Sequence, residues 1–66
     1  MPLDLDNLRR RILAAKISQN AIARAAGMPP SRLSQIVHGR RVNGIELRVV
    51  ESLAAALGCR VEDLLR

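Results

Sequence analysis

Sixty-six residues with 48% apolar side chains make one small domain, and a chain this short buries only about 60% of the surface its unfolded form exposes, which excludes α/β barrels and doubly wound cofactor enzymes. One cysteine, Cys59, excludes a disulfide framework and a Cys-rich zinc site, no run approaches roughly 18 apolar residues, and the absence of Phe, Trp and Tyr removes the main tool for stacking on single-stranded bases. Eleven Lys and Arg against six Asp and Glu give a net +5, and residues 9–45 hold eight of those bases and no acid, so one half of the domain is a cationic surface suited to a polyanion.

The apolar spacing is helical throughout, and alternating strand patterns flanked by hairpin turns are missing. The chain therefore reads as all-α, a compact five-helix domain over residues 1–66. The first helix runs from about Leu5 to Ala15, with Asp4 as N-cap and Asp6 in the positive first turn. Leu5, Leu8, Ile12 and Ala15 form its buried stripe, widened by Leu13. The second helix, about Gln19 to Ala26, has Ser18 as N-cap and Gly27 as stop. Ile22, Ala23 and Ala26 face inward, and the small Ala23 admits a close helix crossing.

The third helix begins near Pro30, where a missing N–H costs nothing, and ends near His38 before Gly39. At 100° per residue Leu33, Ile36 and Val37 point one way, while Ser31, Ser34, Gln35 and His38 point the other. The fourth helix, about Gly44 to Leu57, is expected to start with an Asn43–Glu46 capping box and to end at Gly58. Its stripe is Ile45, Val49, Val50, Leu53, Ala54 and Leu57. A brief fifth helix, about Val61 to Leu65, carries Glu62 and Asp63 in its first turn. The start of the chain carries Asp4 and Asp6 instead of a basic-then-apolar secretory leader, so the cytoplasm is the expected compartment.

Two short helices joined by a tight turn, over about residues 18–39, make a helix-turn-helix candidate. The segment Ile17-Ser18-Gln19-Asn20-Ala21-Ile22-Ala23-Arg24-Ala25-Ala26-Gly27 resembles the second helix and turn of the lambda-repressor-like (Cro/XRE) helix-turn-helix family. Leu33-Ser34-Gln35-Ile36-Val37-His38-Gly39-Arg40 is similar to its recognition helix and the basic turn after it. The stretch from Leu53 to Leu65 is similar to the family's closing segment, and the spacing of the three blocks agrees. Three positions depart from the family pattern. Ile12 and Val37 stand where many members pair an Arg with a Glu, an exchange that ion-pair energetics tolerates. Lys16 stands where Gly is common, and Pro30 stands where members often place a polar base-contacting side chain.

The resemblance implies a double-stranded DNA-binding domain with about residues 30–38 in the major groove. Ser31, Gln35, Arg32 and Ser34 are the candidate base readers. Gln can bond adenine N6 and N7 at once, and Arg can bond guanine O6 and N7. Ser18, Gln19, His38, Arg40, Arg41 and Asn43 are the candidate phosphate contacts, Gln19 by family position beside a helix N-terminus. Ser18 also serves as a cap, and each of these polar groups has solvation as its plain alternative. Arg9, Arg10 and Arg11 circle the first helix, so at least one is a solvated charge.

His38 has no companion ligands, Cys59 reads as a structural thiol in a turn, and no nucleophile–base set or phosphate-binding glycine loop is present. No enzyme, metal, cofactor, membrane or small-molecule ligand is expected. The expected role is a small transcriptional regulator, a repressor acting as a homodimer on a pseudo-palindromic operator, with control through its concentration or a partner. A protein-interaction module, such as the antitoxin half of a toxin–antitoxin pair, is the alternative class.

Overall fold

A computed structural model describes residues 3–40 and 45–65. The described chain forms four α-helices: α1 (Leu5–Ala14), α2 (Gln19–Ala25), α3 (Pro30–Val37) and α4 (Leu47–Leu57), followed by one 3-10 turn at Val61–Leu64. The all-α expectation holds, but the fifth helix is corrected to this single 3-10 turn. Four residues between the extended Arg60 and Leu65 leave room only for i to i+3 bonds, such as Leu65 N–H to Glu62 O at 3.3 Å. Asp63 closes the turn by accepting from the Arg60 N–H at 3.0 Å.

The starts of α1 and α2 follow their caps. Asp4 Oδ1 accepts from Asn7 N–H, and Ser18 Oγ accepts from Ala21 N–H, both at 3.1 Å. α3 starts on Pro29 with no side-chain cap, and Pro30 fills the first helical position. α4 departs from expectation. It begins at Leu47, and Glu46 is its extended N-cap residue (φ −74°, ψ 144°) with no side-chain cap bond. Glu46 therefore cannot be the third helical residue of a capping box. Its carboxylate lies 3.9 Å from Arg48 instead, and Asn43 falls outside the described residues.

Gly27 and Gly39 end α2 and α3 in the left-handed region, at φ +74° and +77°. At each, the next N–H reaches back five residues: Met28 to Ala23 O at 3.0 Å and Arg40 to Gln35 O at 2.8 Å. This satisfies the last-turn carbonyls and turns the chain sharply. The first turn sets α3 against α2, and the second folds Arg40 back onto the end of α3.

The core is aliphatic. Leu8, Ile22, Ala23, Leu33, Ile36, Ile45, Val50, Leu53, Ala54 and Leu64 are buried together. α2 packs on α3 and α4, while α1 packs on α3 and the 3-10 turn. Ala23, fully buried, lies where α2 meets these neighbours. The N-terminal segment is tied to the C-terminal one by Asp4 N–H to Leu64 O at 2.8 Å, a Leu3–Leu65 bridge, and Asn7 Nδ2 to Asp63 O. Leu13 does not widen the α1 stripe: it is 84% exposed. Five residues on from Leu8, it sits about 140° around the helix from the buried direction. No helix among the described residues is long and apolar enough to cross a membrane.

Candidate nucleic-acid interface

α3 has two faces. Leu33 and Ile36 are fully buried and fix the helix to the core. Ser31, Ser34, Gln35 and His38 recur at three- and four-residue intervals, so they share the opposite side. Ser31 and His38 are exposed, whereas Arg32, Ser34 and Gln35 are half-buried. The structure brings part of this set together: Ser34, Gln35, His38 and Arg40 line one open recess of about 130 Å³. A sequence-separated cation after the helix thus stands beside the polar groups on it.

His38 is the C-cap residue of α3, and its Nδ1 lies 2.7 Å from Ser34 O. A carbonyl oxygen only accepts, so Nδ1 carries a hydrogen. Ser18 and Gln19 stand at the N-terminus of α2, Ser18 exposed and Gln19 half-buried. Ser18 is a cap in fact, and its hydroxyl oxygen keeps further capacity for a contact. Arg41 and Asn43 lie outside the described residues.

Arg9 is the residue that sequence reasoning missed. Its Nε donates to Val37 O at 2.8 Å, so the side chain crosses from α1 to the last turn of α3. One of its terminal nitrogens lies 3.7 Å from Asp6 Oδ1. A guanidinium at a helix C-terminus satisfies an orphan carbonyl and suits the negative end of the dipole. The linkage joins the same two elements that an Arg–Glu pair joins in many relatives, although Ile12 and Val37 are apolar here and pack against the core. Arg10 is exposed, and Arg11 is half-buried with its Nε lacking a hydrogen-bond partner among the described residues.

Two short helices meeting through a glycine-stopped turn, the second presenting polar groups beside Arg40, is a helix-turn-helix arrangement. The Cro/C1-type helix-turn-helix DNA-binding domain model matches residues 7–66. The chain belongs to this family. The match takes in α2, α3, α4, the 3-10 turn and all of α1 from Asn7 onward, so the domain is a DNA-binding helix-turn-helix as a whole. No curated protein and no solved structure shows a significant match to the chain. Within the family frame, α2 and α3 are the two helices of the helix-turn-helix. Among the described residues no group of three His, Cys, Asp or Glu side chains is placed to hold a metal ion.

Proposed function

We propose that the protein is a sequence-specific double-stranded DNA-binding regulator that represses by occupying promoter DNA, with α3 in the major groove. The observation that carries this reading is the polar α3 face itself: Ser31 exposed on it, and Ser34, Gln35 and His38 sharing one recess with Arg40. Gln35 reads a base edge, and Ser31, Ser34 and Arg32 complete the direct readout. Pro30 has no donor in its side chain, so the reading falls to the residues after it. Ser18, Gln19, His38, Arg40, Arg41 and Asn43 position the domain on phosphates.

The reading also takes the protein as a homodimer on a pseudo-palindrome. An aromatic-free core, ten residues among those described, is small, and a second copy adds buried area while aligning two recognition helices. Catalysis forms no part of this role, and the cytoplasm is where such a regulator meets DNA. The test is a pair of titrations on a duplex selected from random sequence and on its scrambled form. Gln35→Ala costs about 1–3 kcal/mol on the selected duplex and little on the scrambled one. Arg40→Ala weakens both alike and lowers the log–log salt slope by about 0.9. Equal loss for Gln35→Ala on both duplexes removes α3 from the role of reader. Absence of duplex affinity, with a protein partner retained on purification, makes the chain an interaction module instead.

A further inference from the structure

His38 stands at a point where its protonation state decides what it can bind. The Ser34 carbonyl holds Nδ1 at 2.7 Å, which commits the Nδ1 hydrogen inward. The other ring nitrogen, Nε2, is then an acceptor when the ring is neutral and a donor when it is charged. A phosphate oxygen only accepts, so a neutral His38 in this geometry has nothing to offer it. We propose that His38 binds a backbone phosphate as the imidazolium, so that duplex binding takes up one proton per protomer at this residue. The proposal rests on the DNA-binding reading above and specifies the chemistry of one of its phosphate contacts.

The last-turn carbonyls of α3 present the negative end of the helix to His38. Arg40 lines the same recess. From α1, the helix packed against α3, Arg9 reaches the neighbouring Val37 carbonyl with Asp6 beside it. No carboxylate lines the recess to supply a permanent partner among the described residues. A phosphate entering there neutralises both His38 and Arg40, so the bound state holds the proton more tightly than the free state. The sign follows: affinity is highest below the ordinary histidine range and falls as pH rises through it.

The experiment measures affinity for the selected duplex at about pH 5.5 and about pH 7.8, which bracket that range. It uses the wild type, His38→Gln, whose amide stays neutral, and His38→Lys, whose charge is fixed. The wild type is expected to bind more tightly at the lower pH, by about tenfold or more per protomer, the gain of one charge-assisted hydrogen bond. Its salt slope is steeper by about 0.9 per protomer at the lower pH alone. His38→Gln shows neither change, and His38→Lys keeps the steeper slope at both pH values. Titration calorimetry in two buffers of different ionisation enthalpy reads the proton uptake directly, present in the wild type and absent in both variants. A wild-type affinity independent of pH overturns the proposal and leaves specific DNA binding standing. The same holds if His38→Gln keeps the wild-type pH dependence, or if it relaxes preference at one base pair at both pH values, which makes His38 a base reader through neutral Nε2. Absence of duplex binding at either pH overturns the DNA-binding reading itself.

Discussion

Arg9 does at the residue scale what a charged pair does in many members of the family. A guanidinium that donates to a backbone carbonyl needs no acidic partner on α3, so Val37 is free to pack inward. The contact is half-exposed, which limits its energy, since water competes for both groups. Arg9→Met keeps the methylene stem and removes the donor. It is expected to lower stability by about 1 kcal/mol, a melting shift of about 4–8 °C for a domain of this size. Thermal unfolding of the two proteins at equal ionic strength checks this. An unchanged midpoint means that the Arg9–Val37 contact adds nothing to the α1–α3 packing. None of this was legible beforehand, because a backbone acceptor leaves no mark in residue identity; only the apolar Ile12 and Val37 hinted that the two helices are joined by other means.

Elements were legible where a local device sets their ends. Asp4 and Ser18 cap, Pro30 opens a helix, and Gly27, Gly39 and Gly58 stop three, each through side-chain or backbone chemistry contained within a few residues. Ser18→Ala, which leaves the Ala21 N–H without its acceptor, is expected to cost about 1 kcal/mol, and Ser18→Gly only a few tenths. Denaturant midpoints of both variants check the order, and equal effects from the two remove the cap as the cause. The start of α4 was not legible, because an Asn followed three residues on by a Glu fits a capping box whether or not the helix begins there. The last turn was misread for a related reason: four residues with acids in front look like a helix start, while chain length decides whether an α-turn can close. Leu13 shows the limit of apolar pattern, since a leucine beside a stripe is not thereby inside it. Of the candidate site, the polar α3 face and Arg40 were visible from spacing; the recess joining them required the turn at Gly39.

The whole molecule combines a tightly tied frame with one polar working face. The N- and C-terminal segments hydrogen-bond to each other, closing α1 onto the 3-10 turn, while α3 packs on α1 and α2. If two copies act together, their half-sites are centred one helical turn apart, roughly 34 Å along the duplex. Footprinting on the selected duplex is expected to show two protected half-sites at that spacing, and full occupancy of an isolated half-site by one copy contradicts the dimer. Whether the α3 face is the DNA surface is decided by an NMR titration of the labelled domain with the selected duplex. The largest amide shifts are expected on Ser31 to Arg40 and on Ser18 and Gln19, with α4 and the 3-10 turn changing less. Shifts centred on α4 and the 3-10 turn, with the Ser31, Gln35 and His38 signals undisturbed, would contradict this assignment.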